Sequence, residues 1–194
     1  KMYWWGVPGL GLAGVNDFLS LFLLYYYNQI LGLPAVLTGL ALFISVVFDA
    51  ISDPVIAYWS DRHKGEFGRR IPFMFIGIVP MSLSCLALFI LRLGETQWIL
   101  FAQLTVLIVV FRVSQTIFAV PRFALGVELY KEYSKRNQLI GADRIFEIFG
   151  IALCLGPILL LMPDWDQAHL YTWAALWVCC LLGWSAYLGT VKLS

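Results

Sequence analysis

The feature that most constrains this chain is a series of long, nearly unbroken apolar runs. An α-helix rises 1.5 Å per residue, so about 20 apolar residues cross a hydrocarbon layer about 30 Å thick. Six such runs are predicted, at about 3–30, 34–59, 71–91, 98–127, 139–162 and 170–191. The chain has 194 residues, of which 61% are hydrophobic and 13% charged, more apolar surface than a water-soluble domain of this size can bury. A transmembrane β-barrel would show short alternating segments instead of solid runs. The expected fold is therefore all-α, a polytopic membrane helical bundle of six transmembrane helices embedded in a lipid bilayer. The first run is too long and too aromatic for a cleaved leader, so it counts as the first span. The chain starts and stops abruptly beside apolar segments, which suggests a piece of something longer.

Charge placement gives an orientation. Arg62, Lys64, Arg69, Arg70, Lys131, Lys135, Arg136, Lys1 and Lys192 fall on one side and Arg92 alone on the other. Nine basic residues against one puts both termini and the two long loops in the cytoplasm of a multi-pass cell membrane protein. Tyr3, Trp4, Trp5, Tyr58, Trp59, Trp98, Tyr130, Trp165 and Trp173 lie near span ends and read as headgroup anchors. A net charge of +1 supports no nucleic-acid partner. Cys85, Cys154, Cys179 and Cys180 lack metal-ligand spacing and read as small apolar fillers. The spans fall into two groups of three, which suits a repeat of three-helix units.

Within the second run, FDAISDPVIAYWSDRHKGEFGRR places Asp49 and Asp53 four residues apart on one helical face, with Ser52 beside them. An ionised carboxylate in hydrocarbon costs at least about 2.5 kcal/mol, and a second like charge raises that cost. Such a pair needs a bound cation, a basic partner or a proton; alternatively, Asp53-Pro54 marks the end of the span and Asp49 snorkels there. Arg112, Thr116, Ala119 and Phe123 form one stripe on the fourth run, where Thr116 either offers its hydroxyl to that cation or bonds back to its own helix. Helical depth puts Asp17 level with Arg112 and Asp53 level with Arg144, so these opposite charges are expected to meet around a polar centre. Arg144 and Glu147, three apart, form either a local ion pair or part of a substrate site; Arg122 completes the intramembrane charges, with Asp143 nearer the cytoplasmic edge. Asp61, Arg62, Gly68, Arg69 and Arg70 form a D-R-x(5)-G-R-R loop, which reads as a topology determinant and as a gating element. No Ser/His or Cys/His pair lies embedded in an apolar run, so an enzyme is not expected.

The loop DR...GRR after a second span resembles that of the major facilitator superfamily. FDAISDP followed by SDR, then VPRFALGVEL, together with GVNDF...YYYNQILGL at the start, is similar to the glycoside-pentoside-hexuronide cation symporters, which include melibiose permease. The resemblance covers essentially the whole chain, as the amino-terminal six-helix half of a twelve-helix transporter. It implies a cation site of Asp49, Ser52, Asp53 and Thr116, and a substrate site of Asn16, Asp17, Ala119, Phe123 and Arg144. Ala119 stands where the family has an acid, Phe123 where it has a tryptophan, and Asn16 where it has a lysine. These departures argue against a galactoside. Arg122 beside the proline either compensates for them or favours an anionic substrate.

The expected function is cation-coupled secondary active symport of a sugar, glycoside, uronide or related small solute by alternating access. The coupling ion is sodium or a proton, with no other cofactor or metal. The expected partners are that small-molecule substrate, the coupling cation and the carboxy-terminal six-helix half. Alternatives are a lysolipid-type carrier of the same superfamily and a non-transporting sensor on a transporter fold.

Overall fold

A computed structural model describes residues 2–62, 70–94, 96–129, 132–161 and 167–193, and among these every extended element is helical. The order is α1 (Met2–Tyr25), continuing as a π-helical turn (Tyr26–Ile30), then α2 (Ala35–Arg62), α3 (Ile71–Ile90), α4 (Gln97–Leu129), α5 (Tyr133–Leu161) and α6 (Ala168–Leu193). Among the described residues, five stretches are long and apolar enough to cross a membrane: Tyr3–Ile30, Ala35–Arg62, Ile71–Ile90, Gln97–Glu128 and Ala168–Leu193. α5 is not among them; it carries Asp143, Arg144 and Glu147 within its apolar sequence.

The fifth helix begins at Tyr133, six residues before the apolar run expected from 139, because the polar stretch ahead of the run is itself helical. Lys135 pairs there with Glu132 at 2.9 Å, three residues apart. At the other end of the bundle, Gly32 (φ 72°) makes the turn between α1 and α2, a conformation that costs a side chain with a Cβ.

α1 packs most extensively against α5 and α6, α4 against α2 and α3, and α3 meets α6. Exchanging α1 with α4, α2 with α5 and α3 with α6 leaves this pattern unchanged, so two three-helix units pack in equivalent ways. The approach of α1 to α5 depends on missing side chains: a Cβ on Gly150 would lie 2.0 Å from the Leu10 carbonyl oxygen. Prolines inside the helices free carbonyls four residues earlier. Pro157 frees that of Leu153, and the Trp177 indole N–H on α6 donates to it at 3.2 Å.

The end of α3 is closed by neighbouring side chains. Tyr26 and Tyr27 donate their hydroxyls to the carbonyls of Phe89 and Leu88, each at 2.9 Å. Gln103 of α4 donates to the Leu91 carbonyl at 2.5 Å and accepts from the Leu93 amide at 3.1 Å. Carbonyls that a helix end would leave unpaired are thereby satisfied.

Candidate functional site

α2 is held chiefly by α4, and where the two meet the Thr116 hydroxyl donates to Oδ1 of Asp49 at 2.9 Å. Asp49 is half-buried and Thr116 is buried. Thr116 therefore does not spend its proton on its own helix. Ser52 does: its hydroxyl donates to the Asp49 backbone carbonyl at 3.1 Å, leaving its oxygen lone pairs beside the acid. Asp53, one turn further along, is exposed. Pro54 lies inside α2 and removes the amide that would bond the Ala50 carbonyl, which frees one more oxygen between the two acids. All these donors are oxygens, the ligand chemistry of hard cations and of protons, not of soft metals. Among the described residues no group of three His, Cys, Asp or Glu is placed to hold a metal ion.

The expected cross-span ion pairs are not formed. Among the described residues neither Asp17 with Arg112 nor Asp53 with Arg144 lies within ion-pair distance. The reason is the packing: α1 lies chiefly on α5 and α6 and α2 on α4, and α1 reaches α4 near its start, where Trp5 meets Arg122. Asn16 and Asp17 on α1 are half-buried, as is Ala119 on α4. Arg144 takes the local option, with Nη1 2.5 Å from Glu147 Oε2 and its side chain 71% exposed. Arg112 is half-buried, and its Nε is inaccessible and without a hydrogen-bond partner.

Arg122 is 1% exposed, with both Nε and Nη2 engaged. Its Nη2 pairs with Asp143 of α5. Nε and Nη2 also donate to the Trp5 carbonyl of α1 at 3.2 and 2.9 Å. The Trp5 indole N–H returns a bond to the Arg122 carbonyl at 2.9 Å, and the guanidinium lies 4.6 Å from the indole centroid. Trp5 is thus an interior residue and not the headgroup anchor its position suggested; the other described anchors, Tyr3, Trp4, Tyr58, Trp59, Trp98 and Trp173, are exposed. At that burial, and with Nε and Nη2 held by Trp5 and Asp143, the guanidinium is closed to a solute in this conformation. Phe123 beside it is 51% exposed and meets Trp5 edge-on at 6.2 Å.

At the end of the bundle where α2 and α4 finish and α3 begins, Arg70 Nη2 lies 3.0 Å from Asp61 and 3.0 Å from Glu128. One arginine thereby ties three helix ends. Arg62 stacks on Tyr58, its guanidinium carbon 4.1 Å from the ring centroid. Gly68 and Arg69 lie outside the described residues. Glu128 had been visible only as the acid of VPRFALGVEL; its distance in sequence from the DR...GRR loop hid the partnership.

Comparison with known proteins agrees with this architecture. The family described as MFS/sugar transport protein matches residues 4–192. An uncharacterized symporter of Synechocystis sp. is 33% identical over 84% of this chain and 31% of its own length. The inner membrane symporter YicJ of Escherichia coli is 27% identical over 68% of this chain and 29% of its own. A putative glycoside/cation symporter of the same bacterium, YagG, is 34% identical over 36% of this chain and 15% of its own. The chain thus spans about a third or less of these relatives. Matched over nearly its whole length, this multi-pass helical chain belongs to the MFS/sugar transport protein family, a family of transporters and not of enzymes.

Proposed function

We propose that the chain is the amino-terminal six-helix half of a cation-coupled symporter that moves a sugar, glycoside or uronide by alternating access. All six helices span the cell's inner membrane in this reading, with both termini in the cytoplasm. The observation that carries it is the Thr116 hydroxyl on Asp49, a contact between helices that brings the threonine to one of the two acids whose spacing suggested a cation site. Asp49, Asp53 and the oxygens of Ser52, Ala50 and Thr116 hold sodium or a proton. Asn16, Asp17, Ala119 and Phe123 face the substrate, with Arg144 at the edge. The names of relatives from Escherichia coli, a putative glycoside/cation symporter and a glucuronide carrier protein homolog, support this solute class.

Coupling follows from charge. A carboxylate pair without its cation is costly to seal away from water, so the half-loaded protein is penalised in crossing between facings. The cation removes that cost, and its binding and that of substrate favour one another. The Arg70 bridge to Asp61 and Glu128 holds one facing closed and must break in the other. In proteoliposomes with the full-length protein, Asp49→Asn is expected to lower gradient-driven uptake at least tenfold while leaving insertion intact. Uptake in that variant with the same sodium or proton dependence would contradict the assignment.

A further inference from the structure

We infer that Arg112 selects the substrate: it takes the carboxylate of an acidic sugar beside the cation site, a reading that rests on the transporter function proposed above. Three other arginines of the helical body, Arg70, Arg122 and Arg144, each have a carboxylate within ion-pair distance. Arg112 has none among the described residues, and its Nε is sealed from solvent without a hydrogen bond. It sits near the middle of the 33-residue α4, where a charge without an opposite partner is least tolerable.

Its position says what such a partner would do. Arg112 is four residues from Thr116 on the same helical face, about 5–6 Å away between Cβ atoms. Thr116 is the residue that reaches Asp49. A bare guanidinium one turn from the threonine that holds that acid repels an incoming cation; a carboxylate seated on the guanidinium cancels the repulsion. An anionic substrate therefore promotes cation binding, and a neutral one does not. The planar fork of arginine matches a carboxylate with two parallel hydrogen bonds, so the same contact fixes orientation. Arg122, the other deep arginine on α4, is 1% exposed with Nε and Nη2 held by Trp5 and Asp143, so a solute does not reach it.

The test uses purified full-length protein and pairs of probes that share a ring: glucuronate with glucose, galacturonate with galactose, and methyl glucuronide with methyl glucoside. Binding is read by calorimetry with and without sodium, at two pH values. In at least one pair the acid is expected to bind tenfold or more tighter than its neutral mate. Arg112→Gln is expected to lose that preference, weakening the acid at least tenfold while leaving the neutral sugar unchanged. Arg112→Lys, which keeps the charge but not the fork, is expected to fall between. No preference for the acid in any pair overturns the inference. So does an equal loss for acid and neutral sugar in Arg112→Gln, which would mean that Arg112 pairs with another part of the protein. Should Arg112→Gln fail to fold, Arg112→Lys and the wild-type preference decide. The two proposals fail separately: neutral-sugar uptake that follows the cation gradient and is lost in Asp49→Asn keeps the symporter reading without this one. Acid binding that depends on Arg112 but ignores the cation keeps Arg112 as the carboxylate's partner and overturns both its coupling to the cation and the symporter reading.

Discussion

The guanidinium of Arg122 shows how a deep charge is made tolerable. It is enclosed by an indole ring, a backbone carbonyl and a carboxylate contributed by α1 and α5. Two glycines make the room: a Cβ on Gly9 would lie 2.5 Å from the Asp143 carboxylate, and one on Gly126 would lie 2.6 Å from the Trp5 ring. Removing one member of a buried pair leaves the other charge stranded, at a cost of about 3–5 kcal/mol, whereas replacing both with apolar residues is often tolerated. Arg122→Ala and Asp143→Ala are therefore each expected to lower the melting temperature in detergent sharply, and Arg122→Met with Asp143→Leu to recover most of it. A double variant no more stable than the singles would show that the ion pair itself is required. The sequence marked Arg122 as an unusual charge but offered two roles for it and left Asp143 at the membrane edge. Their pairing joins residues 21 apart on helices that otherwise barely touch, and helical periodicity carries no information about such a contact. The meeting of Thr116 with Asp49 was legible only as one of two options for the threonine, and the family resemblance, not helical depth, set the two in one site.

At the scale of the helix, apolar runs locate elements well and their polar ends badly. Each predicted run lies within one helix, or in α1 within the helix and its π turn, apart from end residues such as Pro34 and Leu91. Beyond its run, α5 reaches back through Ser134, Lys135 and Arg136, because water-exposed helical turns need no apolar residues. Helix contacts are set by small residues, whose absence of side chain lets backbones approach. Gly150→Ala is expected to force α1 and α5 apart and to destabilise by about 1–3 kcal/mol, as overpacking does. Gly183→Ala on α6, where the nearest atom to an added Cβ is 3.7 Å away, is expected to be neutral or stabilising by up to about 1 kcal/mol. Equal melting temperatures for the two variants would rule out the close approach at Gly150.

Across the whole molecule, the described helices form two three-helix units packed by one scheme. The grouping into threes was legible in the order of runs and loops. The partner choice was not, because similar depth brings charges together only where their helices touch. The central claim is that Asp49 and Thr116 form one cation site across α2 and α4. Losing a hydrogen bond to a charged group costs about 1.5–3 kcal/mol, which is about 10- to 150-fold in affinity. The most direct measurement is cation binding to the full-length protein, by sodium calorimetry and by proton uptake in sodium-free buffer. Thr116→Val is expected to weaken binding of the coupling cation at least tenfold and Asp49→Asn to abolish it, whereas unaltered binding in both variants would contradict the account.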